Sequence, residues 1–244
     1  MSFLNQIKKG QNPELKETVY KNIRNPQEPH LPFILLLDGS TSMGELAGLK
    51  TKIRLLNEAV KRLKEEMMMD ELAASRVDIA VIAYGDSARV ICDWTPISEF
   101  EAPQLNADGW TAMGEAGCLA FEMLKERRRF YRAMGTPSYA GYVYNITDGC
   151  ATDDVTAVTA MIKAEEAKGY KAKVKWFNCA VPGADEQALV RMSKRSIAVE
   201  ETRFDTLFNW IGASMALVSN SNPEEVAALP DLPENIRKID PDWY

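Results

Sequence analysis

The chain has 244 residues, 46% hydrophobic and 26% charged, which suits one large domain or two small ones with a sizeable core. Its formal net charge of -6 argues against the basic footprint that nucleic acid requires. One histidine and four cysteines without a CxxC spacing argue against a zinc site, and no apolar run approaches the roughly 20 residues of a membrane helix.

Residues 1–30 are polar, contain Asn12-Pro13 and Asn25-Pro26, and read as an N-terminal arm. Residues 1–10 lack the sustained apolar stretch of a leader, and the cysteines read as thiols of a reducing compartment, so a cytoplasmic location is expected. His30 is expected at the surface or at a strand edge. Residues 32–37 form a continuous apolar run, as in a strand buried on both faces. The run leads directly into Asp38-Gly39-Ser40-Thr41-Ser42-Met43-Gly44. Asp38 and Ser40 there can be read as a turn or helix cap, or as ligands.

Residues 51–69 carry apolar side chains at helical spacing, with Met67-Met68-Met69 expected as a core-facing helix end. Residues 77–84 and 88–94 are β-rich and separated only by Gly85-Asp86-Ser87, too short for a parallel crossover, so they should form a hairpin. The loop Gly109-Trp110-Thr111 precedes a helix over 113–133. Its end carries Arg127-Arg128-Arg129, expected on a solvated face, and then Gly135 and Pro137 as stop signals. A strand over 142–147 ends at Asp148. Asp153 and Asp154 should cap a helix over 155–168. A strand over 173–181, a short helix over 185–192, a short strand over 197–199 and a final helix over 204–219 follow. The segment 220–244, rich in Pro and acidic residues, is expected to be extended.

This alternation predicts an α/β, doubly wound, mostly parallel six-stranded sheet with one antiparallel edge strand and helices on both faces, spanning 31–219. With strand order 3-2-1-4-5-6, the strands ending at Asp38 and Asp148 are neighbours, and ligands bind where the order reverses, beyond the carboxyl ends of the strands. Asp38, Ser40, Ser42, Thr111 and Asp148 then form an all-oxygen set of two carboxylates and three hydroxyls, suited to Mg²⁺, Mn²⁺ or Ca²⁺. Trp110, Cys150 and Asp153 are candidates for a partner-binding rim; Trp110 can equally pack under its loop.

The Asp-x-Ser-x-Ser pattern of Asp38, Ser40 and Ser42 resembles the metal-ion-dependent adhesion site of von Willebrand factor A domains. Gly109-Trp110-Thr111-Ala112-Met113-Gly114 is similar to that family's Gly-Gly-Thr-Pro-Met-Gly loop, and Asn145-Ile146-Thr147-Asp148-Gly149 to its Leu-Thr-Asp-Gly strand end. Within the superfamily the chain most resembles the TerY/YegL-like tellurite-resistance group. The resemblance there is carried by Val77-Asp78-Ile79-Ala80-Val81-Ile82, Phe100-Glu101-Ala102-Pro103-Gln104-Leu105 and Thr147-Asp148-Gly149-Cys150-Ala151-Thr152-Asp153. Cys150 and Ala151 replace that group's Glu and Pro, and Trp110 replaces the second Gly of the threonine loop.

The resemblance implies that Ser40 and Ser42 coordinate an ion through their hydroxyls, with Thr111, Asp38 and Asp148 binding directly or through water. Thr147 and Asp153 would tune the shell. It further implies a non-enzymatic adaptor that grips an Asp or Glu of a protein partner, in a stress-response or tellurite-resistance setting. Oligomeric state stays open. Two other readings compete: a metal-assisted phosphohydrolase with Asp38 as nucleophile, and a structural domain whose metal site is empty. Against the first, Ser40 stands where such phosphatases place an acid, and no lysine or histidine is evident as a partner.

Overall fold

The computed structural model describes residues 23–225 and 227–241. The first 22 residues of the expected arm and the last three of the expected tail lie outside that range. Strand β1 (Leu31–Asp38) is buried at every position. Leu31, Phe33, Leu35 and Leu37 face one core, and Ile34 and Leu36 face the other. That two-sided burial is why the strand reads as an unbroken apolar run rather than an alternation.

A tight 3-10 turn over Thr41–Gly44 follows. It leads into a two-stranded hairpin, β2 (Leu46–Ala47) and β3 (Lys50–Thr51), which the sequence did not suggest. Helix α1 (Lys52–Met68) packs Ile53, Leu56, Val60 and Leu63 inward, as its spacing requires. Of the three methionines, only Met67 is core; Met68 and Met69 are exposed, so the expected apolar end is one residue wide. A short helix α2 (Glu71–Arg76), capped by Asp70 accepting from the Ala73 amide at 2.7 Å, was also not anticipated.

Strands β4 (Val77–Tyr84) and β5 (Ala88–Pro96) form the expected antiparallel hairpin. Helix α3 (Met113–Met134) ends at Gly135, whose φ of 72° is the left-handed stop the sequence signalled. Strand β6 (Gly141–Thr147), helix α4 (Thr156–Glu166), strand β7 (Val174–Ala180), helix α5 (Glu186–Met192), strand β8 (Ser196–Val199) and helix α6 (Phe204–Asn220) complete the alternation.

The sheet has the order β5-β4-β1-β6-β7-β8, with a further strand at the β8 edge. It is parallel from β4 through β8, with helices on both faces, and β1 lies between β4 and β6 as the 3-2-1-4 order demands. A seventh strand joins the expected six. Strand β9 (Ile236–Lys238), from the segment expected to be extended, pairs antiparallel with β8. Helices α1, α2 and α6 cover one face, and α3, α4 and α5 cover the other.

Two surface expectations are overturned at the amino end of the sheet. His30 is buried, with Nδ1 2.9 Å from Asp78 Oδ2. Arg127, expected in solvent, is buried with Nη2 3.0 Å from the same oxygen. Tyr131 also donates its hydroxyl to Asp78 Oδ2. Asp78 occupies an inward position of an otherwise apolar strand, and its charge draws these donors inside, because an unpaired buried carboxylate is costly. Among the described residues no helix is long and apolar enough to cross a membrane.

Candidate metal centre

The five residues expected to share an ion all meet at the carboxyl ends of β1 and β6. Asp38 ends β1 and is fully buried. Its Oδ1 accepts from the Ser40 amide at 2.8 Å, the short-range turn that Asp favours, and its Oδ2 accepts from the Thr147 hydroxyl. Ser40 Oγ lies 3.1 Å from Ser42 Oγ, and Ser42 Oγ donates to Asp148 Oδ1 at 2.6 Å. Thr111 and Asp148 are both buried.

Gly149 shows where these donors point. A Cβ built on it would stand 3.5 Å from Thr111 Oγ1 and 3.9 Å from both Asp38 Oδ2 and Ser42 Oγ. Three of the five donors thus surround one cradle, Asp38 and Ser42 from the segment that ends β1 and Thr111 from the loop before α3, and a side chain at 149 would occupy it. Oxygen donors only, with two carboxylates, suit a hard divalent cation. Among the described residues no three His, Cys, Asp or Glu side chains gather into a metal cluster, and this centre itself brings only two carboxylates together with hydroxyls.

Burial pushes the Asp38 carboxyl up, the hydrogen bonds from Ser40 and Thr147 pull it down, and the nearby charge of Asp148 pushes it up again; the balance stays above the ordinary value. The charge of Asp148 is thus the smallest of these influences on Asp38.

The loops carrying the donors are tied to one another. The Thr111 amide donates to Thr152 Oγ1 at 3.0 Å, and the Thr152 amide returns a bond to the Thr111 carbonyl at 3.0 Å. Thr41 donates both its amide and its hydroxyl to the Gly109 carbonyl, each at 3.0 Å. Thr147, expected to tune the shell, donates to Asp38 while accepting from the Gly149 amide at 3.1 Å.

Asp153 acts elsewhere than expected. Its carboxylate accepts from the Gly114 and Glu115 amides at 2.9 and 2.8 Å, so it caps α3 rather than the helix that follows it in sequence. The chain passes so near there that a Cβ on Gly114 would fall 2.3 Å from the Asp154 carbonyl oxygen. Asp154 holds the Thr156 amide at 2.8 Å at the start of α4. Asp153→Ala should therefore cost about 0.5–2 kcal/mol, read as a lower urea midpoint with an unchanged slope. Trp110 is 71% exposed, so it does not pack under its loop, and Cys150 is exposed as well.

Lysine 52 is the participant that sequence reasoning missed. Its ammonium, nearly buried, sits 2.7 Å from Asp148 Oδ2 and 3.0 Å from Glu45 Oε2. Burial would lower its pKa, but the bonds to Asp148 and Glu45 outweigh that and hold it above the ordinary value. The only available signal was position: Lys52 opens α1 where no acidic residue stands in the first turn, against the helix dipole. The β2–β3 hairpin is rooted between these two partners, since the Lys52 amide donates to the Glu45 carbonyl at 3.0 Å. It exposes Leu46 at its base and Leu49 at its tip, 73% and 101% exposed.

Residues 33–151 match the family model described as the von Willebrand factor type A domain. Among solved structures, the chain is similar to the vWF domain of the type V pili tip protein Mfa5 from Porphyromonas gingivalis. The TM-score is 0.55 at 11% identity, over 82% of this chain and 99% of that one. It is also similar to proximal thread matrix protein 1 from the mussel byssus (TM-score 0.55, 13% identity, 88% of this chain) and to the pilus adhesin SpaC from Lactobacillus rhamnosus GG (TM-score 0.61, 10% identity, 81% of this chain). The chain spans about half the length of the mussel protein, 50%, and 32% of the pilus adhesin. At such identities the likeness speaks for the fold alone. No curated protein matches the sequence significantly.

Proposed function

Because the chain carries a von Willebrand factor type A domain over residues 33–151, we propose that it is a protein-binding module dependent on a divalent cation. The single observation that carries this reading is the convergence of Asp38, Ser42 and Thr111 on the cradle beside Gly149, with Ser40 and Asp148 bonded to that set. Asp38, Ser40, Ser42, Thr111 and Asp148 would hold Mg²⁺, Mn²⁺ or Ca²⁺. The bound ion supplies an electrophilic centre that accepts an Asp or Glu carboxylate from a partner protein. The chain's own residues do the rest. Thr147 and the Ser40 amide fix Asp38, Ser42 orients Asp148, and the paired Thr111–Thr152 bonds keep the threonine loop against the strand ends. Trp110 and Cys150 line the exposed rim that a partner would meet.

The finer reading is an adaptor of the TerY/YegL-like tellurite-resistance or stress-response group, working in the cytoplasm. It rests on the sequence segments quoted above and on four free thiols. A phosphohydrolase using Asp38 as nucleophile is disfavoured by its geometry, since both carboxylate oxygens are engaged and the side chain is fully buried.

The test is a melting curve taken across a MgCl₂ titration. An ion that binds the folded form alone stabilises it by about 2.7 kcal/mol at one hundred times Kd, a rise of about 5–11 °C for a chain this size. Wild type should show that rise, while Asp38→Ala and Asp148→Ala stay flat with unchanged far-UV circular dichroism. Partner capture should vanish in the same variants and in EDTA. A wild type unresponsive to Mg²⁺, Mn²⁺ and Ca²⁺ sinks the proposal.

A further inference from the structure

The other end of the sheet holds a cavity unrelated to the metal centre. It opens between β6, β7, β8 and α6 and is roofed by residues 227–232, with a volume of about 510 Å³. That is within the range of small-ligand sites. Strand register builds it. Tyr142 pairs with Lys175 across β6 and β7, and Tyr144 pairs with Phe177. The Asn178 amide bonds the Arg195 carbonyl, which brings Arg195 beside Phe177, its guanidinium 6.0 Å from the ring centre. Trp210 from α6 closes the floor and is anchored by its indole N–H on the Pro230 carbonyl at 3.1 Å.

Lys175 breaks the pattern of its strand. It takes an inward-facing place in an otherwise buried run, where a core residue belongs. Its ammonium donates to the Tyr142 hydroxyl at 2.9 Å and lies 5.1 Å from that ring, and among the described residues it meets no carboxylate. Arg195 has one distant counter-ion, Glu166 Oε1 at 3.7 Å. Burial, and then the neighbouring charge of Arg195, hold the Lys175 pKa below its ordinary value. Lys175 and Arg195 therefore flank an apolar hollow, with the exposed Lys238 as a third cation on the lining; the one acid there, Asp231, is exposed. Desolvated like charges are unfavourable until an anion sits between them.

We propose that this cavity binds a small organic anion with a flat apolar body. Its head group, carboxylate or phosphate, meets Lys175 and Arg195, and its body lies against Tyr142 and Trp210. Cations placed over aromatic rings favour such a ligand on both counts, charge and stacking.

The test is a fluorescence titration of the full chain with 8-anilinonaphthalene-1-sulfonate, a flat anion, and with its uncharged analogue N-phenyl-1-naphthylamine. The expected result is one saturable sulfonate site, weakened about tenfold in Lys175→Met and in Arg195→Met, with the neutral probe unaffected. Lys175→Arg should restore binding. Displacement by 1-naphthyl phosphate against 1-naphthoate then tells which head group is preferred. An unaltered Mg²⁺ response in the melt reports that each variant is folded, and Lys175→Gln replaces the methionine variant should that one fail to fold. Equal binding of charged and neutral probes, or variants that bind the sulfonate as wild type does, overturns the proposal.

Discussion

Asp78→Ala is expected to lower stability by about 3–5 kcal/mol, the usual consequence of removing one partner from a buried charge pair. Asp78 Oδ2 takes bonds from His30, Tyr131 and Arg127, and among the described residues its Oδ1 meets no hydrogen-bond partner. Removing the carboxylate leaves the Arg127 charge buried between the rings of Trp94, Phe130 and Tyr131, 5.5, 5.1 and 5.0 Å from their centres. Those rings soften the loss without neutralising the cation. For a chain of this size the loss amounts to about 6–20 °C in melting temperature, and urea unfolding should show the same decrease.

The same carboxylate gives a pH signature. Burial raises its pKa, but the His30 hydrogen bond, the Arg127 charge and the Tyr131 hydroxyl outweigh that and hold it below 3.8. A carboxyl depressed in the folded state contributes stability above its unfolded pKa and loses it as pH falls through the folded value. Wild type should therefore lose stability as pH falls below about 4, and the difference between wild type and Asp78→Ala should narrow over that interval. A difference independent of pH between 6 and 2.5 would show that the ionised carboxylate is not what holds the cluster.

Lys52→Met should change the metal centre in the opposite sense to loss of a ligand. The Lys52 ammonium already neutralises Asp148, so an incoming divalent cation meets a like charge. Even at an effective dielectric constant of 20, unit charges about 4 Å apart interact by about 4 kcal/mol, so Mg²⁺ affinity should rise at least about tenfold in the variant. Without metal the variant should be less stable than wild type by about 3 kcal/mol, because Asp148 is left buried without its counter-charge. In millimolar Mg²⁺ that deficit should close. Calorimetric titration reads the first effect and melting curves the second. An unchanged affinity would mean that the lysine and the cation do not share Asp148.

The parallel order, the neighbouring β1 and β6 and the five oxygen donors were legible because each has a local signature. Ile34 to Leu37 is apolar without alternation, three residues join β4 to β5, Asp38 ends its strand and Asp148 directly follows its own. What escaped notice depends on contacts distant in sequence. His30 and Arg127 look like surface residues until Asp78, 48 and 49 positions away, is placed between them. Lys52 looks like an ordinary helix residue until Asp148, 96 positions on, comes within 2.7 Å. Asp153 carries a cap signal that is correct in kind, but its amides belong to α3, 38 and 39 residues earlier. Strand β9, three residues long with Arg237 and Lys238 exposed, has neither the length nor the apolar content that marks a strand in isolation.

The register of β1 against β4 has a last implication. Asp78 lies opposite Pro32, six positions before Asp38, which puts about 20 Å of sheet between the ionic knot at one pole and the cation cradle at the other. Perturbations that far apart combine by simple addition, to within about 0.5 kcal/mol. Evolution or an engineer can thus harden this scaffold at its base without retuning the ligand chemistry at its crown.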